Sequence, residues 1–201
     1  SMIIPKDELY QHIQNKQKEG FPDYTIYPAG DREIYTSIIY LEPFSGRNLR
    51  AFGYDMFSEP VRRKAMELSR DNNLAVLSGK VLLVQESSED VQTGVLMYVP
   101  VYKKGMTINT IEQRRAAILG WVYSPYRMND LMTGILGKRS GIGLNRIHLQ
   151  IFNDIISDSS LLYQSCNDNL HTNYAPSRTF SIPVEFNGKK WVLLFSQFNS
   201  E

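Results

Sequence analysis

The sequence predicts an α+β fold with two small antiparallel sheets. Three observations carry this expectation. Segments of strand length with alternating or apolar patterning recur along the 201 residues, separated by polar turns. One strong helix start, "SEPVRRKAM" (58–66), lies among the first of these segments. A glycine-interrupted stretch at 134–143 then parts two strand-rich regions, each with enough segments for a sheet of its own.

The elements follow in order. "PKDELYQHIQNKQKE" (5–19) reads as a polar helix with Leu9 and Ile13 spaced i, i+4 and Gly20 as its stop. Strands are expected near 24–27 and 34–41, with a Pro-Ala-Gly turn between them. Ser58 is the expected N-cap of the next helix and Pro60 suits its first turn. Val61, Ala65 and Leu68 share one face of that helix, which should end at "DNN" (71–73), where asparagine tolerates left-handed geometry. Strands are then expected within 74–86, broken at Ser78-Gly79, and over 94–103 and 116–126. Met128, Leu131, Met132, Ile135 and Leu136 recur at helical spacing, predicting a connecting helix over 127–140. The strands of the second region should be 145–153, 178–186 and 189–198, the last two joined by the Asn-Gly turn of "FNGKKW".

Composition narrows the function classes. Hydrophobic residues make up 42% and aromatic residues 11%, enough for a packed core. Twelve tyrosines suit pockets that are apolar on their faces and polar at their tips. A net charge of +1 gives no electrostatic footprint for nucleic acid. No run of 18 apolar residues is present. The single cysteine, Cys166, excludes an internal disulfide and a cysteine-based structural zinc site. The opening Ser-Met reads as a cloning remnant, so the chain is expected to be excised from something longer.

No catalytic constellation stands out. His12, His148 and His171 are scattered and lack the i, i+4 partner of a helical zinc pair. There is no Gly-x-Ser-x-Gly elbow. "GILGKRSGIG" (134–143) fails the phosphate-loop pattern, because Lys138 is followed by Arg139, and reads as a linker. Arg62-Arg63 and Arg114-Arg115 are either solvated faces or bidentate partners of a carboxylate, with Glu42 and Asp55 as possible acceptors. Asp55, an acid among the apolar residues of "GYDMF" (53–57), is either a capping or ion-paired group or the polar contact of a pocket.

Seven ordered segments carry a family resemblance: "YPAGDREIY" (27–35), "IYLEP" (39–43), Asn48, "GYDMFSEPVRRKAM" (53–66), "LSGKVLLVQE" (77–86), "GVLMYVPVYK" (94–103) and "RRAAILGWVYSPYRMNDLM" (114–132). Together they resemble the CHASE domain, an extracytoplasmic sensory module of membrane histidine kinases and cyclases. The resemblance implies a long N-terminal helix, here truncated to 2–21, and two tandem PAS-like antiparallel-sheet subdomains. These would be a ligand-binding, membrane-distal unit at 22–126 and a proximal unit at 141–201, joined by the helix at 127–140. It also implies flanking transmembrane helices, a homodimer, and the periplasmic or extracellular portion of an inner-membrane protein. The output domain would be a histidine kinase, as in two-component systems, or a diguanylate cyclase or phosphodiesterase of cyclic-di-GMP signalling.

The best-known relatives, plant cytokinin receptors, anchor the adenine ring of the hormone on an aspartate that matches Asp55. Further contacts match Leu77, Ser78 and Gln85 by position. The resemblance implies an unknown small molecule at the same place, not cytokinin itself. Tyr35, Leu77, Leu83, Met97, Tyr98 and Trp121 could wall such a pocket, and Asp55, Ser78 and Gln85 could supply its polar contacts. No cofactor, metal or nucleic acid is expected. A flavin- or haem-binding cytoplasmic PAS-type domain and an enzyme domain are the competing classes, and no residue motif favours either.

Overall fold

The computed structural model describes residues 1–86, 91–137, 147–165 and 176–198. It is an α+β fold with antiparallel pairing throughout its ladders. The chain divides into two compact units: Ser1–Ser78 with Val84–Val91 and Leu96–Ser124, and Gly79–Leu83 with Gln92–Val95 and Pro125–Glu201.

The first unit opens with a strand that the sequence pattern does not announce. β1 (Met2–Pro5) pairs with β2 (Ile34–Ser37), Ile4 opposite Tyr35, and meets β6 (Ile118–Arg127) at Met2 opposite Gly120. "MIIP" is a short β-branched run, and Pro5 is extended (ψ 151°), so the helix expected from residue 5 cannot begin there. A 3₁₀ turn at Lys6–Glu8 leads to α1 (Leu9–Lys18), ten residues long, and Gly20 leaves it with φ +106°. The long N-terminal helix implied by the resemblance is here a short one.

Residues 24–27 form no strand beyond an isolated Tyr27–Tyr54 bridge. The Tyr24 amide closes a turn onto the Phe21 carbonyl (2.9 Å), which bends the backbone away from any ladder. Tyr24 is a core residue instead, its hydroxyl 2.7 Å from Ser37 Oγ and 2.9 Å from His12 Nε2. β2 ends at Ser37, short of the expected 41. Ile38 then exchanges backbone bonds with Gly53 and Tyr54.

α2 (Pro60–Asn72) is capped by Glu59, not Ser58. The Glu59 carboxylate accepts from the Val61 and Arg62 amides, both at 2.9 Å. Ser58 belongs to the preceding 3₁₀ turn (Met56–Ser58), where its hydroxyl donates to the Asp55 carbonyl at 2.6 Å. Asn73 ends the helix in the left-handed region, as its residue type predicts. The buried face is Arg62, Ala65, Met66 and Ser69, an i, i+3, i+4, i+7 stripe, while Leu68 is exposed. Ser69 can be buried because its hydroxyl donates to the Met66 carbonyl.

The expected strand at 74–86 is two short pieces, β3 (Val76–Leu77) and β4 (Val81–Leu82), divided at the anticipated Ser78-Gly79 break. β5 (Thr93–Tyr102) follows, then α3 (Ile111–Ala117), a helix beyond those expected from the sequence, and β6. α3 carries its own signal in "TIEQ": Thr110 Oγ1 accepts from the Gln113 amide, and Gln113 Oε1 accepts from the Thr110 amide, both at 3.2 Å. Its sheet runs β2-β1-β6-β5-β3, with α2 over one face through Met66, Ser69 and Trp121.

In the second unit β4 pairs with the start of β5, and α4 (Met128–Leu136) buries Met128 and Met132. Gln92 Oε1 accepts from the Asn129 and Asp130 amides, capping a helix whose own N-cap residue makes no side-chain bond. The sheet order is β8 (Leu161–Gln164), β7 (Ile147–Asn153), β10 (Lys189–Gln197), β9 (Arg178–Phe186). β8 was not anticipated. β9 and β10 meet at Asn187 and Gly188, both with positive φ (46° and 72°), as the Asn-Gly turn predicts. Of the linker expected over 134–143, residues 134–136 belong to α4 instead, and 138–143 lie outside the described residues, as do Cys166 and His171.

Candidate functional site

Asp55 sits where β2 meets the 3₁₀ turn, and its side chain is fully buried. One carboxylate oxygen, Oδ1, is crowded with donors: the Thr36 amide (2.8 Å), the Thr36 hydroxyl (3.1 Å) and the Phe57 amide (3.1 Å). That oxygen therefore caps the turn and ties it to β2. The other oxygen, Oδ2, is equally buried and receives no hydrogen bond. Its nearest cation is Arg32, whose Nη1 lies 3.4 Å away. A buried carboxylate oxygen without a donor is costly and marks a place where a donor would be gained.

Around this point stands a cluster of phenols and one buried cation. Arg62 is 4% exposed, bridges to Glu59 (3.4 Å) and lies 5.3 Å over the Tyr54 ring. Tyr54 meets Tyr27 edge-on at 5.5 Å, and Tyr98 lies 5.9 Å from Tyr123. The Tyr98 hydroxyl faces Met56 Sδ (3.7 Å), next to Asp55. Burial pushes the phenol pKa of both Tyr98 and Tyr123 upward, with Arg62 partly opposing it, so both stay protonated donors. The Tyr123 hydroxyl is buried and makes no hydrogen bond.

The other expected site residues divide. Val76 pairs with Tyr98 and Leu77 with Met97, so alternation sends Leu77 and Met97 to the face opposite Tyr98. Ser78 is buried, its hydroxyl accepting from the Leu96 amide at 2.9 Å. Gln85 is buried in the turn after β4. Leu83 belongs to the second unit and fills the space above Gly94. Trp121 shares the helix-covered face with Tyr98, but its indole N–H is committed to the Met66 carbonyl (3.0 Å) and Ser69 Oγ (2.9 Å). Tyr35 lies at the edge of the Asp55 site, bonded to the Gly30 carbonyl (2.8 Å) beneath Arg32. Arg32, Thr36, Tyr54 and Tyr123 are not among the residues that the sequence marks for the site. Thr36 left a trace, as a polar residue at an inward position of a strand.

The paired arginines have other partners than Glu42 or Asp55. Arg115 holds Asp71 at 2.5 Å through a fork, with Arg70 on the same carboxylate, and Arg114 reaches the Asp71 carbonyl. Arg63 pairs with Glu67. Elsewhere in the first unit a surface groove of about 370 Å³ is lined by Phe21, Tyr24, Tyr27, Leu49 and Phe52, among others, and by none of the expected site residues. Among the described residues no cluster of three or more His, Cys, Asp or Glu side chains could hold a metal, and no helix is long and apolar enough to cross a membrane.

The family model of the CHASE domain matches residues 1–163. The chain is 25% identical over 120 residues to hybrid signal transduction histidine kinase A of Dictyostelium discoideum. That match covers 58% of this chain and only 6% of the kinase. By this match over most of its length, the chain belongs to the CHASE domain family, the sensory domains of signalling receptors.

Proposed function

We propose that this domain senses a small molecule anchored on Asp55, on the helix-covered face of the first sheet. The observation that carries the reading is the buried Oδ2 of Asp55, which has no hydrogen-bond donor while Oδ1 has three. Tyr98 and the unpaired hydroxyl of Tyr123 lie on the same face and add polar tips to apolar walls. The domain performs no chemistry itself. It favours one signalling state because the ligand binds that state better. The full-length protein places it outside the cytoplasm between transmembrane helices, as a homodimer, ahead of a kinase or a cyclase or phosphodiesterase output. Family membership and the kinase relative support that setting.

A thermal-unfolding screen of nucleobases, amino acids and small carboxylates tests the reading. A ligand at a hundred times its Kd should add about 2.7 kcal/mol to wild type. Asp55→Asn keeps an acceptor for Thr36 and Phe57 but removes the carboxylate at Oδ2, and it should lose that gain. Equal stabilisation of both proteins by every hit would remove Asp55 from the site.

A further inference from the structure

The contact between Arg32 and Asp55 is not that of a settled ion pair. The guanidinium approaches Oδ2 at 3.4 Å, yet Oδ2 receives no hydrogen bond. Settled charge-assisted bonds are shorter, at about 2.7–2.9 Å. The same Nη1 also donates to the Pro28 carbonyl at 3.2 Å. The guanidinium lies 5.7 Å over the Tyr35 ring and fills the space above Gly30, where even a Cβ would come within 2.8 Å of it. Asp55 is wholly buried, whereas the Arg32 side chain is 24% exposed. Arg32 thus reaches from the solvent edge to a buried oxygen. It can return to water when another donor takes its place, because its own contacts are long and the cost lies in leaving Asp55 Oδ2 without a counter-ion.

We propose that Arg32 is the resident occupant of the ligand's anchor point. Its guanidinium holds Asp55 Oδ2 in the ligand-free domain, and a ligand bringing its own N–H donors takes that oxygen. Arg32 then swings out, and the 28–33 segment loses the tie that Arg32 makes between Asp55 and the Pro28 carbonyl. This rests on the reading of Asp55 as the anchor, and it adds the residue that gates the site and the segment that responds. The ligand class follows: a head group able to outbid a loosely held guanidinium must present N–H donors at normal distance, as an amidine, an amine or an aminated ring does.

Methylguanidinium is the probe, so the test needs no natural ligand. Arg32→Ala should unfold a few degrees below wild type. Millimolar methylguanidinium should raise its midpoint saturably, while wild type and Arg32→Ala/Asp55→Asn show no saturable rise. Hydrogen exchange of 28–33 should be faster in Arg32→Ala and should stay fast with the probe bound, because the free cation is not tethered to the segment. No saturable rise in Arg32→Ala, or an equal rise in the double variant, overturns the proposal. Exchange returning to the wild-type rate when the probe binds would show Arg32 to be a plain counter-ion, which also overturns it. If the probe behaves as expected while no metabolite stabilises wild type, the gate stands and the sensing reading fails.

Discussion

Asp55 carries the capping role on one oxygen and leaves the other for the proposed ligand contact. Oδ1 is structural and Oδ2 is the open end. The two separate experimentally. Thr36→Val removes a hydroxyl that donates to Oδ1 and accepts from the Phe57 amide, and should cost about 1–2 kcal/mol. It leaves Oδ2 untouched, so ligand binding should survive in calorimetry at temperatures where the variant is folded. Asp71 tests the electrostatics of the same unit. The Arg115 fork, with Arg70 beside it, holds its carboxyl well below the usual carboxylate range. A depressed carboxylate stabilises the fold fully above its unfolded pKa of about 4 and progressively less as pH falls through its folded value. Asp71→Asn should therefore cost about 1 kcal/mol at neutral pH, screened by solvent at the Arg115 end. Its urea midpoint should draw toward that of wild type as pH falls below about 4, and meet it only beneath the depressed folded value of the Asp71 carboxyl. A gap independent of pH would assign the loss to packing.

At the scale of elements, legibility followed the range of the interactions. Asn187-Gly188, Asn73 and Gly20 act through their own backbone angles, and each does what its residue type predicts. The strands β5, β9 and β10 announce themselves by length and composition. β1 does not, because its pairing with β2 and β6 joins residues distant in sequence. α3 was legible in Thr110 and Gln113 but hidden by the apolar run that follows. The cap of α2 was misassigned by one residue, since Ser58 fits the usual cap preference and Glu59 does not. Glu59→Ala should therefore cost about 1 kcal/mol, and Ser58→Ala about half that, in matched thermal melts. The reverse order would return the cap to Ser58. Arg62 was hidden for a related reason: hydropathy alone places an arginine outside, whereas the Tyr54 ring and Glu59 let its guanidinium be buried.

At the scale of the molecule, residue order carries the family, and three-dimensional packing sorts the expected site residues. A linear motif cannot tell which neighbours on β3 and β5 share a face. Alternation sets Leu77 and Met97 against Tyr98, and it is Tyr98 that stands beside the turn bearing Asp55. The partners of Asp55 come from residues 32 and 36, and sequence alone could not pair them with it. Ligand sensing at Asp55 is tested most directly by isothermal calorimetry of a screened hit against wild type, Thr36→Val and Asp55→Asn. Wild type and Thr36→Val should bind with similar Kd, and Asp55→Asn at least about tenfold more weakly. Undiminished binding by folded Asp55→Asn would contradict it.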